Sequence, residues 1–381
     1  MKPNRQHSRI HQTGFSLVEL MVGLVIGLLA TLVVLQVFSV FEGQKRTTSG
    51  SAEAQTNGNV ALFLIKRDVE QAGYGLLPVT NSALECISPN FADSGATSLS
   101  PVIITDGGTS AGASDTITIR YGTTSSGGTI SQISAAIGTA PSINGGQTAT
   151  VVDNQNCNVG DVALVINGST SCNLTKVAGL STPPDYTGVA LTNTSGMGTG
   201  IGSNLACLGA WNEIQYSINP NYNPTNPSNA QAYLQRNPTA SIPANAVPSV
   251  VDIVNIQAQY GISTSPSSNQ IVQWVDATGI WTPSALASSV NNRNLIKAVR
   301  IAVVARNGLL EKTAVTNACS SLTSDAPTGL CAWAGTSAGT AIASPAPPID
   351  LSNDPNWQYY RYRVFETIIP LRNVIWSKST L

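Results

Sequence analysis

The stretch Gly14-Phe-Ser-Leu-Val-Glu19-Leu-Met-Val-Gly-Leu-Val-Ile-Gly-Leu-Leu-Ala-Thr-Leu-Val-Val-Leu-Gln-Val-Phe-Ser-Val-Phe41 decides the fold. From Leu20 to Phe41 no residue is charged. At about 1.5 Å per residue a helix over that run reaches roughly 33 Å, enough to cross a bilayer core. Lys2, Arg5 and Arg9 form a short basic leader ahead of it, which predicts that the N-terminus stays in the cytoplasm. Glu19 sits at the edge of the apolar run with no basic residue within helical reach. An ionised carboxylate near hydrocarbon costs about 2.5–3.5 kcal/mol on insertion scales, so its presence asks for a function. Two readings stand. Either the helix is a single-span anchor whose Glu19 reaches to the interface, or it enters an assembly in which Glu19 finds a partner. A secretory signal cut near Ala52-Glu53-Ala54 fits poorly, because the apolar run is longer than an h-region and ends well before that point.

Working outward, no proline occurs between Pro3 and Pro78, so the helix can continue. Glu42–Gly58 is polar and holds Gly43, Gly50 and Gly58, which makes it the weak, bendable part. Amphipathicity returns from Val60: Leu62, Ile65, Val69 and Ala72 repeat at helical spacing, with Lys66, Arg67, Asp68 and Glu70 on other faces. Gly73 and Gly75 are natural stops.

Beyond Pro78 segments rich in β-branched and apolar residues alternate with turn chemistry. Strands are expected at Val102–Thr105, Thr116–Tyr121, Thr148–Val152, Val162–Ile166, Trp211–Ile218, Ile271–Val275, Ile296–Val304 and Tyr359–Ile369. Asp115–Tyr121 alternates as a half-buried strand does, and Val299, Ile301 and Val303 share one face of Lys297–Arg306. Val250–Tyr260 leans to strand, with Val251, Ile253 and Asn255 opposite Val250, Asp252, Val254 and Ile256. Thr192–Asn204, Asn219–Ala230 and Ala334–Pro348 read as mobile surface loops. The fold class is therefore α+β: a long N-terminal helix, half transmembrane and half amphipathic, packed on a β-rich, disulfide-containing globular head.

Only 10% of residues are charged and the net charge is −1, so no basic surface for nucleic acid is expected outside the leader. The two histidines, His7 and His11, both lie in the leader. A chain cut after Gly14 would lack histidine altogether, which excludes Ser-His-Asp and Cys-His catalysis and His-liganded zinc. Acid pairs such as Asp350/Asp354 or Glu85/Asp93 are what chance distribution gives rather than a glycosidase dyad. Asp161, Asp252 and Asp276 lack calcium-loop spacing, and no phosphate-binding glycine loop occurs. No catalytic residue, metal or cofactor is expected. Tyr222, Trp281 and Trp357 read as packing rather than adhesive aromatics, and Arg361, Arg363 and Arg372 as sheet-flanking.

Cys86, Cys157, Cys172, Cys207, Cys319 and Cys331 are even in number and form no C-x-x-C pair, so disulfides in an oxidising compartment are expected. Six cysteines permit 15 full pairings. Loop shortness favours Cys157–Cys172 and Cys319–Cys331, leaving Cys86–Cys207; buried free thiols are the alternative.

Gly14-Phe15-Ser-Leu-Val-Glu19, behind a basic leader and ahead of an unbroken apolar helix, resembles the type III signal of type IV prepilins and type II secretion pseudopilins. The resemblance implies cleavage between Gly14 and Phe15 by a prepilin peptidase, N-methylation of Phe15, and an assembly role for Glu19, which would pair with the Phe15 amine of a neighbouring subunit. Arg67-Asp68-x-x-x-Ala72-Gly73-Tyr74, the Lys297–Arg306 strand and the run from Arg363 to Pro370-Leu-Arg-Asn373 resemble PilW-family minor pilins. These features cover about a third of the chain, at both ends; residues 87–243 match nothing in that pattern. The resemblance implies a leader over 1–14, a transmembrane and assembly helix over 15–41, an amphipathic half-stem over 42–77 and a periplasmic head over 78–381. It also implies a non-enzymatic minor pilin that primes and caps a type IV pilus serving twitching motility, adhesion or DNA uptake. Its partners would be other minor pilins, the major pilin, the prepilin peptidase, an inner-membrane assembly platform and a tip adhesin. The implied location is the inner membrane before assembly and the pilus or cell surface after it. A minor pseudopilin of a type II secretion system and a membrane-anchored periplasmic binding protein are the competing readings.

Overall fold

The computed structural model describes residues 14, 16–76, 86, 88–91, 98–167, 171–198, 200–226, 231–238, 247–321, 326–333 and 349–376. The chain divides into two compact units, residues 1–52 and 53–381. Helix α1 (Leu17–Glu70) is uninterrupted, so the glycine-bearing section that reads as weak stays helical. Its closing turns place Gly73 and Gly75 at positive φ (78° and 75°), a conformation that suits glycine and stops the helix where the sequence predicts. Ala54, Ala61, Ile65, Val69 and Ala72 are buried in the head core, while Leu62 is only half-buried at the stripe's edge. Asp68 is buried too, contrary to its expected place on an outer face.

After β1 (Ser88–Asn90) come β2 (Val102–Thr105) and β3 (Thr116–Tyr121). Six strands follow: β4 (Ile130–Ala135), β5 (Gln147–Val151), β6 (Val162–Asn167), β7 (Ser171–Leu180), β8 (Gly188–Leu191) and β9 (Asn204–Cys207). Then come β10 (Asn212–Ile218), β11 (Tyr233–Pro238), β12 (Val247–Val251), β13 (Ile253–Ile262) and β14 (Gln273–Val275). Two short helices, α2 (Pro283–Ser288) and α3 (Val290–Leu295), precede β15 (Ile296–Arg306), β16 (Tyr362–Pro370) and α4 (Arg372–Trp376).

The head core is framed by two antiparallel sheets, ordered β12-β11-β10-β3-β2 and β14-β13-β15-β16. Strands β13 and β15 are buried along their whole length because both faces are covered. Val299, Ile301 and Val303 do share a face, and it meets the buried stripe of α1; Ala302 and Val304 face a separate cluster with Leu330, Ile349 and Leu351. Strand β3 is buried on both faces rather than one, because Arg120 on its second face is paired with Glu213 of β10 instead of reaching water. The facing predicted for Val250–Tyr260 also fails. Asp252 adopts φ 59° between β12 and β13, and the register slips between Ile253 and Asn255. Ile253 and Ile256 therefore share the main core, as a bulge allows and strict alternation forbids.

Strands β4 to β9 form a closed sheet that the sequence reading did not foresee, although β5 and β6 lie where strands were expected at Thr148–Val152 and Val162–Ile166. The pairings β7–β6, β6–β9, β9–β4, β4–β5, β5–β8 and β8–β7 close a six-stranded antiparallel barrel, with β1 added in parallel to β7. Closure requires β7 to serve two neighbours: Ser171–Lys176 pairs with β6, and Val177–Leu180 with β8 across an irregular register. Ile133, Val151, Val165, Val177, Leu191 and Leu205 fill the interior. Met197 joins them, so the predicted loop Thr192–Asn204 is anchored rather than free. The predicted loop Ala334–Pro348 and the end of Asn219–Ala230 lie outside the described residues. The barrel is an insertion between neighbours, since β3 and β10 pair directly, Tyr121 opposite Asn212.

The disulfides are Cys86–Cys172, Cys157–Cys207 and Cys319–Cys331. Only the last was predicted; Cys157–Cys172 and Cys86–Cys207 are replaced. The reason is sheet neighbourhood. Pro89 lies opposite Cys172 in the β1–β7 pairing, which brings nearby Cys86 within reach. Cys207 lies opposite Ala163 of β6, next to the loop that carries Cys157. No free cysteine occurs among the described residues.

Candidate assembly site and stem–head junction

At the N-terminal end Gly14 is exposed, and Phe15 lies outside the described residues. The amide of Ser16 donates to Glu19 Oε2 at 3.4 Å, and the Leu20 amide donates to the Ser16 carbonyl at 3.1 Å. Glu19 therefore folds back over the first turn of α1, where unsatisfied amides and the helix dipole favour an anion. From Leu17 to Phe41 the helix exposes its apolar side chains. The one hydroxyl within the middle of this run, on Thr31, donates to the carbonyls of Gly27 and Leu28. Thr31 is thus satisfied within the helix, as a lipid-facing segment demands, and Gln36 and Ser39 are the other polar side chains between Leu20 and Phe41.

The head end of α1 is fixed by a polar cluster that the sequence reading did not identify. Asp68 is 1% exposed. It accepts from Tyr216 Oη at 2.7 Å and from Arg236 Nε at 2.8 Å, and pairs with Arg67 at 3.0 Å. Burial, then the Asp68 charge, holds the Tyr216 phenol above its ordinary range. Burial alone would lower Arg236, but its hydrogen bond to Asp68 leaves it raised. A buried charge that is paired and hydrogen-bonded from two elements locks rotation of the helix on the sheet. The signal available in the sequence was one acid inside an otherwise apolar helical stripe.

Asn373, in α4, donates to the carbonyls of Gln71 and Ala72 at 3.4 and 3.1 Å, satisfying acceptors at the end of α1. The Ala72-Gly73 segment and the Pro370-Leu-Arg-Asn373 segment, read separately in the sequence, thus meet in space. Leu371 and Val374 insert beside them into the core. Gly58, read as a weakness, is a contact: a Cβ there would lie 2.0 Å from the Phe365 ring of β16.

The remaining candidates disperse. Arg361 pairs with Glu311, Asp354 with Arg306, and Asp276 accepts from Gln259. Tyr222 stacks on Arg306, and Trp281 and Trp357 pack against core clusters. Glu85 and Asp93 lie outside the described residues, among which no group of three metal-ligating side chains occurs.

Residues 215–373 match the family model PilW, described as type IV pilus-assembly protein W, and residues 9–35 match the prokaryotic N-terminal methylation motif. No curated protein and no solved structure matches the chain. The first match starts within β10 and ends within α4, so the inserted barrel precedes it.

Proposed function

Since the chain matches a PilW-family pilin with a prepilin-type signal, a type IV pilus-related minor pilin, we propose that it primes assembly of a type IV pilus and caps the finished fibre. A prepilin peptidase cuts between Gly14 and Phe15, and the new amine is methylated. The helix then moves from lipid into a bundle formed with other minor pilins and the major pilin at an inner-membrane assembly platform. Glu19 pairs with the Phe15 amine of a neighbour, which offsets the burial cost of both charges. The head lies on the periplasmic side before assembly and at the pilus tip after it, where it meets a tip adhesin. The role is assembly, not turnover.

The observation that carries this reading is the two-part character of α1. It is apolar and exposed from Leu17 to Phe41, then buried on one stripe and pinned through Asp68 to the head. A terminal rather than repeating place is supported by the inserted barrel, which enlarges the head beyond what the pilin sheets need.

The test is mass spectrometry of the N-terminus from envelope and sheared-pilus fractions, beside a Glu19→Ala variant. A methylated Phe15 terminus is expected in both fractions for the native chain. The variant should remain in the membrane and disappear from sheared pili. An intact Met1, or normal incorporation of Glu19→Ala, would refute the reading.

A further inference from the structure

The described sheets have open edges at β1, β2, β12, β14 and β16. Four of these are closed to further pairing by their own length or sequence. β1 and β14 have three residues each. β12 carries Pro248, and its register with β11 slips at Leu234/Gln235. On the open side of β2 the Tyr260 hydroxyl takes both the amide and the carbonyl of Ile104. Short length, proline, irregular register and a covering side chain are the means by which proteins keep edges from pairing.

β16 has none of these. It pairs with β15 from Ala298↔Pro370 to Arg306↔Tyr362 without a slip, and its one proline is the last residue. The Leu371 amide donates to the Lys297 carbonyl, and the Asn307 amide to the Arg361 carbonyl. Odd-numbered residues of the strand therefore face β15, and the N–H and C=O groups of Tyr362, Val364, Glu366 and Ile368 face away. Among the described residues none of these backbone groups has a partner. The strand carries one base and one acid, Arg363 and Glu366, so no net charge repels an incoming strand. Glu366 is already held, accepting from the Trp333 amide at 2.7 Å. Ile368 is 54% exposed on the face it shares with Glu366, an apolar side chain where a guarding lysine would stand.

The direction of the strand selects the occupant. Phe365 lies against Gly58, and Asn373 reaches the carbonyls of Gln71 and Ala72, so β16 runs the same way as the head part of α1. Antiparallel pairing is the more stable kind. Between two copies of β16 it would set their α1 segments in opposite directions, although both chains are anchored through the same N-terminal helix.

We propose that β16 is a docking edge for an extended segment of a different pilus subunit, added antiparallel as one more strand of the sheet β14-β13-β15-β16. Main-chain bonds supply the affinity, and alternate side chains the selectivity. The fitting segment places a basic residue opposite Glu366 and apolar residues opposite Val364 and Ile368. That the donor is a pilus subunit rests on the role proposed above; that the edge accepts a strand does not.

The edge is tested by amide exchange of the full-length chain in detergent. The probe is a short peptide in which threonine alternates with valine, lysine and valine. At about 5 mM peptide, a Kd of about 1 mM slows exchange at Val364, Glu366 and Ile368 about sixfold, by the factor 1 + [L]/Kd. Ile368→Pro removes an outward N–H and leaves the β15 ladder intact. It should abolish the protection at an unchanged melting temperature, and Ile368→Val should keep it. Should the proline variant misfold, Ile368→Lys, which repels the basic probe, takes its place. No slowing at about 5 mM, or slowing that survives these variants, would overturn the site. The donor is tested by comparing sheared pili from cells carrying the native chain, Ile368→Pro or Ile368→Val. Loss of Ile368→Pro alone is expected, and equal incorporation of all three would overturn the pilus donor. A native chain missing from pili altogether would sink the priming role and the pilus donor together, with the edge still decided by the exchange measurement. A dimer in detergent that Ile368→Pro dissociates would assign the edge to a second copy instead.

Discussion

Asp68 shows how one residue can settle the seat of a helix. Its carboxylate is the shared acceptor for Tyr216 and Arg236, from adjacent strands β10 and β11. Removing it leaves the Arg236 guanidinium without this acceptor and the buried Tyr216 phenol with only the longer bond to the Leu64 carbonyl at 3.2 Å. Asp68→Ala should therefore lower the stability of the head by about 2–3 kcal/mol, read as a shifted urea midpoint at unchanged slope. Asp115 offers a second measurement. Burial raises its pKa to about 7 from 3.8, although the amides of Gly107 and Ala258 donate to it. The folded chain thus holds this proton more tightly than the unfolded chain. The stability it confers is fully present below about pH 4 and is lost as pH rises through about 7. The melting temperature should fall between pH 5 and pH 8, and Asp115→Asn should flatten that slope. Burial raises Asp252 and Glu366 as well, so part of the slope will remain.

At the scale of elements, the contact between α1 and β16 depends on a missing side chain. Helix propensity alone predicts that Gly58→Ala stabilises by about 1 kcal/mol. The Phe365 ring occupies the position a Cβ would take, and overpacking typically costs about 1–3 kcal/mol. Gly58→Ala should therefore be neutral to destabilising in denaturant titrations. Adding Phe365→Ala should make the glycine replacement favourable. Additive effects in that double-mutant cycle would show that the close approach is not what keeps glycine there. A sequence window could flag Gly58 only as a flexible point, because the residue that explains it is some 300 positions away.

For the molecule as a whole, the inserted barrel has an interior of its own but is not thermally independent. Val162, Leu164, Ile166, Leu174 and Ala206 point outward from it into the same cluster as Ile65, Ile119 and Tyr216. The Cys86–Cys172 bridge adds a covalent tie. Residues 53–381 should unfold in a single calorimetric transition, with van't Hoff and calorimetric enthalpies in agreement; two resolved transitions would show that the barrel and the other two sheets are separate folding units. Local signals determined the long apolar helix, its stop at Gly73 and Gly75, the segment around Glu19, most strands of the two head sheets, strands β5 and β6, and the Cys319–Cys331 loop. Each depends on neighbours within a few residues: unbroken apolarity, backbone freedom, alternation or a short loop to close. Tertiary structure alone decided the barrel, the other two disulfides, the bulge at Asp252 and the junction of Asp68 and Asn373 with the head. In the barrel, β8 and β9 have only four residues each and β7 divides its length between two neighbours, so the pairing is set by closure of the sheet rather than by any local pattern. Cysteines 86 and 172, or Asn373 and Ala72, become neighbours only once distant strands have paired, and no spacing along the chain records that distance.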